Sequence, residues 1–416
     1  MRTLLPVSLL ALAACKGGGD DGTAAAVEPC ASGDECTYDQ PGAIFTYAGV
    51  PGEAMFSAEG EHRLNASLYL PQDIAFGSDG IPAFPDFNNH RIRQIGADEM
   101  VYTISGTGML GDGPIGTSGC YAPEPCSAEA AAWNHPTNVE VDPNDPNIVW
   151  VAAWHNSRIN RIDITTGELE WFAGTGGRQY GGDGGPATEA VLDLPSSVAF
   201  DERNGDMYIS DQANHVIRRI PAGSDTIELV AGVPREPGFG GDGGQALDAK
   251  LHGHTAQKAD PGSKITIHDG TLYLADTVNG VIRTIDLDSG VIERFAGAYT
   301  SLGSDDAGVD LGSVPGYSGD GGDALDAVFN TPRDVAVGID GEVYIADTKN
   351  SCVRVVDPDT NIVTTFAGQC GTIGYDGDGG FAGDSLLGTP FGVSVDGDGN
   401  VYIADTLNHV IRRVAR

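Results

Sequence analysis

The residue types best suited to chemistry in this chain recur at one place, the start of a short apolar strand. Gln72 and Asp73, Thr137 and Asn138, Ser196 and Ser197, His254 and Thr255, Arg333 and Asp334, and Phe391 and Gly392 stand there. If those strands are brought side by side, the pairs converge. Asp73, Asn138, His254 and Asp334 could then surround a divalent cation, with His135 or His252 as base, for a lyase or hydrolase reaction. Asp73, Asn138, His254, Arg333 and Asp334 serve equally as a ligand-binding set without any reaction. A serine nucleophile is disfavoured, because no G-x-S-x-G elbow occurs.

A second set is the loop GDGG, at 182–185, 241–244, 319–322 and 377–380, with a partial copy at 111–113. Adjacent glycines allow close backbone approach. Asp183, Asp242, Asp320 and Asp378 could therefore help hold calcium, the one cation these loops suggest in a chain with no other cofactor signal. Recurrence in nearly every repeat favours a turn instead, since a dedicated site seldom needs so many copies. Asp396, Asp398 and Asn400 imitate the start of a calcium loop, but Val401 replaces the required glycine and no closing glutamate follows, so the segment reads as a turn.

The elements that position these residues are repeats. VYIADTLNHVIRRV at 401–414 has close copies at 207–220, 272–285 and 343–356, and degraded ones ending at Ile95 and Ile162. Asn89, Asn156, Asn214, Asn279, Asn350 and Asn408 mark them at a spacing of roughly 64 residues, which suits a four-stranded unit with one long loop. Alternation gives three strands per copy and a fourth of the type VIERFAG (291–297) or IVTTFAG (362–368). The last copy lacks its fourth strand, and AIFTYAG at 43–49 is a fourth strand with no unit of its own, so it is expected to complete the last copy. The recurring aspartate, asparagine and arginine, as in Asp405, Asn408 and Arg412 or Asp276, Asn279 and Arg283, read as architecture. His90, His155, His215 and His409 are assigned to the slot after the asparagine.

These units resemble NHL repeats, over nearly everything from residue 41 onward: a P-x-x-V strand, VYIADTxNHxIR, then FAG and the GDGG loop. The resemblance implies an all-β, six-bladed β-propeller whose blades cover one another's faces. It also implies that the residues starting each innermost strand line a central channel. Propeller enzymes similar to this fold, amidating lyases and lactonase-like hydrolases, place a metal at the mouth of that channel.

Lysine and arginine total 23 against 59 acidic residues, a net charge of −36. Such a surface repels nucleic acid and anionic lipid. Residues 1–14 read as a signal sequence, and LAAC at 12–15 resembles a lipobox that leaves Cys15 as the lipidated residue. Residues 15–40 are expected to form a flexible tether with a small disulfide loop, and 41–416 the propeller. The other cysteines pair locally, Cys30 with Cys36, Cys120 with Cys126 and Cys352 with Cys370, as disulfides of an exported chain. The expectation is thus a monomeric protein of the bacterial envelope, at the outer membrane and touching lipid through its anchor only. Its partner would be protein, glycan or cell wall. Trp133, Trp154, Trp171, Tyr180, Tyr299, Tyr317 and Phe239 are either a binding surface or packing between blades.

Overall fold

A computed structural model describes residues 40–111, 126–255, 260–306 and 308–416. The expected sites at Cys15, Cys30, Cys36 and Cys120 lie outside them. Each repeat forms one antiparallel sheet; in the fifth the strands are Asp334–Val337, Val343–Asp347, Cys352–Val356 and Ile362–Ala367, in that order from the centre outward. The β-branched and aromatic alternation of VYIAD and its neighbours fits a pleated surface covered on both faces. Among the described residues there are six such sheets.

Ring closure is as expected. Ile44–Ala48 pairs antiparallel with Val410–Val414, placing Ile44 opposite Val414 and Thr46 opposite Arg412, and so supplies the outer strand of the sixth blade. Among the described residues, the apolar core consists of six clusters, one between each pair of neighbouring blades. Ile148 and Trp150 of the second blade pack with Val198, Met207 and Ile209 of the third. The ring closes where Phe84 and Val101 of the first blade meet Tyr402 and Ile411 of the sixth.

The GDGG loops act between blades. Each leaves one blade and lays a backbone amide on the outer strand of the next: Gly184 donates to Ile227, Gly243 to Ile292, Gly321 to Val363 and Gly379 to Ile44, at 2.8 to 2.9 Å. This covers edges that would otherwise be open to pairing. Each loop aspartate then meets a fully buried arginine of that next blade: Asp183 with Arg218, Asp320 with Arg354 and Asp378 with Arg412 at 2.6 Å, and Asp242 with Arg283 at 2.5 Å. The same guanidinium approaches the repeat aspartate, as in Arg412 to Asp405 at 3.6 Å. An aromatic ring lies over it, Tyr180, Phe239, Tyr317 or Tyr375, at 4.8 to 5.4 Å. Asp, Asn and Arg are thus architectural, and the loop aspartates are engaged by arginine. Of the partial copy at 111–113, only Gly111 is described.

Blade two departs from this scheme, with Ala153 and Asn160 where the other repeats have aspartate and arginine. Cys352 and Cys370 form the expected disulfide, and Cys126 is disulfide-bonded. Asp396 accepts from the amides of Asp398 and Asn400 at 3.0 and 2.8 Å, closing a turn. No helix among the described residues is long and apolar enough to cross a membrane.

Candidate functional site

The six innermost strands line a central channel, and the residue facing its axis at their first level is Asp73, Asn138, Ser197, Lys264, Asp334 or Gly392 in turn. Side chains at this level bond to the neighbouring strand, which fixes their direction. Asn138 accepts from the Val198 amide at 2.9 Å, Ser197 from Ile265 at 3.0 Å and Asp334 from Val393 at 3.1 Å. At Gly392 a Cβ would lie 2.5 Å from the Gln72 carbonyl, so only glycine lets the sixth blade come this close to the first.

Lys264 dominates the geometry. Its ammonium pairs with Asp334 of the neighbouring blade at 3.0 Å, reaches across the axis to Asp73 of the first blade at 3.3 Å and donates to the Gln72 carbonyl at 2.9 Å. The Asn138 amide donates to Asp73 at 2.6 Å. All four side chains are buried. Burial works to lower the Lys264 ammonium, but Asp334 and Asp73 overcome it and hold it above its ordinary value. Burial pushes Asp334 up to about 6, with Asp73 adding and Lys264 opposing. The result is an ionic plug across the channel.

Of the five residues expected at the channel mouth, three lie together and two lie elsewhere. Asp73, Asn138 and Asp334 meet. His254 does not join them, because residues 254–262 are an insertion in blade four and its strand starts later, at Lys264 and Ile265. His254 and Arg333 do not line the channel cavity. Arg333 pairs with Asp260 at 2.7 Å and lies 3.7 Å over the Phe391 ring, and burial lowers it to about 10. Burial and the nearby Arg333 lower His254 to about 4. His135 belongs to a different cluster, its Nδ1 3.1 Å from that of His155 and its ring 4.7 Å from Phe87. His252 lies edge-on to His215, 5.6 Å away.

His155 also differs from its assignment. Ser157 follows Asn156 and takes the left-handed position that His90, His215 and His409 take in other blades, while His155 precedes the asparagine. The aromatics mostly pack: Trp133 and Trp154 are buried, Phe239 stacks on Tyr299 at 4.0 Å, and Tyr180 and Tyr317 cover arginines.

Two residues the sequence did not single out complete the site. Lys264 is one. The other is Glu140, two residues beyond Asn138 and so on the same channel face. Below the plug lies a cavity of about 300 Å³ that runs toward the turns between first and second strands, with Glu202 and His268 near its opening. At the level of Glu140 the other five strands present Ala75, Ala199, Thr266, Ala336 and Ser394. Small side chains make the space, and the sixth is an acid. Glu140 lines the cavity and is half-buried, and desolvation there pushes its carboxyl up to about 8, with Asp73, Glu202 and Asp334 adding. Among the described residues it has no hydrogen-bond or ion-pair partner, and no cluster of three or more His, Cys, Asp or Glu side chains suited to a metal is found.

The repeat family decides the identity. The NHL repeat pattern matches residues 329–356, from the segment before the first strand of blade five through its third strand. The chain is an NHL-repeat propeller. It is 29% identical over 306 residues to Protein SUPPRESSOR OF QUENCHING 1, chloroplastic, of Arabidopsis thaliana, covering 72% of this chain and 27% of that protein. It is 26% identical over 316 residues to human NHL repeat-containing protein 2, covering 71% and 40%. The NHL propeller thus spans well under half the length of these relatives. Among solved structures it is similar to a Bacteroides thetaiotaomicron protein, with TM-score 0.60, 18% identity and coverage of 90% and 75%. An auxiliary nutrient binding protein of Bacteroides ovatus gives TM-score 0.61 at 14% identity, covering 90% and 77%. At these identities the likeness is one of fold.

Proposed function

We propose that this NHL propeller is a ligand-binding scaffold held at the bacterial envelope, exported under the 1–14 signal and anchored through lipid on Cys15, with the central cavity as its ligand site. The observation that carries the reading is the joint state of the channel residues. Asp73 and Asp334, which a metal enzyme would present to its cation, are already paired with Lys264. The cavity beside them is open at one end and keeps one acid, Glu140, without a partner among the described residues. The Cys352–Cys370 disulfide suits an oxidising compartment. A protein, glycan or cell-wall component is the expected class of partner at the outer face, and the tether at 15–40 would separate the body from the membrane.

The test uses the full chain and its Ser394→Leu variant, which narrows the cavity at the level of Glu140. Thermal melting is followed against sugars, peptides, amines and divalent cations. A ligand-binding channel gives at least one stabilising compound whose effect the variant abolishes; no shift with any class, or shifts identical in the variant, would refute the channel as the site. Metal content checks the lyase or hydrolase alternative: a stoichiometric ion lost in Asp334→Asn with the fold retained would establish it over this reading. Radiolabelled palmitate incorporation that disappears in Cys15→Ser checks the anchor.

A further inference from the structure

The cavity restricts what can occupy it. Its one end is the Lys264 plug, its wall at mid-depth is three alanine methyls, two hydroxyls and Glu140, and Glu202 stands by its opening. Asp73 and Asp334 together carry more negative charge than Lys264 neutralises, so the interior and rim repel anions. The donor set is wrong for a bare metal ion, which needs several converging ligands. An axial space with one acid, two hydroxyls and methyl walls suits an organic cation that carries an apolar chain.

Resting on the reading that the channel binds a ligand, we propose that the ligand class is a linear alkylammonium, with its ammonium on Glu140 and its chain along the alanine wall. Glu140 is faced by Asp73 and Asp334 from the plug and by Glu202 near the rim, with Lys264 and His268 the other ionisable groups of the channel. Because burial and those acids keep the free carboxyl protonated at neutral pH, an incoming ammonium exchanges for its proton. The neutral Glu140 carboxyl plus the ammonium ion gives the carboxylate–ammonium pair, and one proton leaves to solvent. The amine keeps its own proton throughout.

Calorimetry of the full chain with butylamine and with 1,4-diaminobutane tests this, in buffers of different ionisation heat. The expected result is one site, release of about 0.9 proton per ligand at pH 7, and affinity rising almost tenfold per pH unit from pH 6 to 7. Glu140→Gln should weaken binding about 10- to 100-fold and abolish proton release. Ser394→Leu, which keeps Glu140, should also lose binding while melting like the parent, so a folding defect in one variant leaves the other to decide. Binding that survives both substitutions, or that releases no proton, would place the amine on the acidic outer surface and overturn the proposal. No binding at about 10 mM amine would overturn it as well. If amines fail while another class stabilises the parent but not Ser394→Leu, the ligand-binding reading stands and only the ammonium assignment falls.

Discussion

Replacing Lys264 by methionine keeps the volume of the plug and removes its charge. Two buried carboxylates, Asp73 and Asp334, then face each other with their shared cation gone and only Asn138 and backbone amides left as donors. Ammonium–carboxylate contacts of 3.0 and 3.3 Å are each worth roughly 5 to 6 kcal/mol at the effective dielectric of a protein interior, before the cost of desolvating the lysine. Removing one partner of a buried pair costs about 3 to 5 kcal/mol net, and that is the loss expected at pH 8. The sign of the pH dependence follows from the carboxylates. With the cation gone, Asp334 moves up from its value of about 6, so the folded variant binds a proton that its unfolded chain, near 4, does not. Stability of the variant therefore recovers as pH falls through that raised value, and the gap to the parent narrows between pH 8 and pH 5. Denaturant unfolding followed by tryptophan fluorescence at several pH values measures it. Lys264→Met/Asp73→Asn/Asp334→Asn should return to within about 2 kcal/mol of the parent, since the stranded charges are gone. A deficit below about 1 kcal/mol at pH 8, or one that does not change with pH, would refute the plug as an electrostatic unit.

Three other outcomes are expected. Burial, with His252 nearby, lowers His215 to about 3, and its Nδ1 accepts the Gly253 amide, so the folded state holds it neutral. Its contribution is lost as pH falls below the unfolded value near 6.5, and between pH 7 and 5 the parent should lose about 2 kcal/mol more than His215→Asn; parallel stability curves would contradict this. Arg412→Met should cost about 2 to 4 kcal/mol in denaturant unfolding, and adding Asp378→Asn should restore little, because Asp405 stays buried beneath the lost guanidinium. Deleting residues 1–48 removes the outer strand of the sixth blade, so the remaining chain should melt lower and aggregate, and a peptide of residues 41–49 should restore the melt.

The architecture was legible because repetition multiplies weak signals. One VYIAD strand is ambiguous, whereas copies of it with FAG and GDGG at constant offsets define a blade, and the unmatched AIFTYAG then has one place to go. The Cys352–Cys370 bridge was legible for the same reason, since the repeat fixes where its hairpin folds. The site was less so. Blade four carries its insertion between the leucine-x-proline position and the strand, so counting from the former led to His254, while the alternation of ITIHDG would have led to Lys264. Glu140 gave no signal at all: an acid alternating with valines in NVEVD reads as the solvent face of a strand, and only closure of the ring turns that face inward. His155 was misassigned because HN and NH differ by one residue, and one residue decides which side chain takes the left-handed position.

The pairing of Ile44 with Val414 has a kinetic side. Joining segments some 370 residues apart costs roughly 5 kcal/mol of chain entropy that no local contact offsets. Closure of the sixth blade therefore costs least once its five neighbours have shortened the effective gap between its halves. Until then the edge at Val410–Val414 is a template for any free outer strand, including Ile44–Ala48 of another copy. Exchange of that one strand between molecules would be the characteristic misfolded dimer of this chain, favoured when many copies reach the same compartment before their rings close.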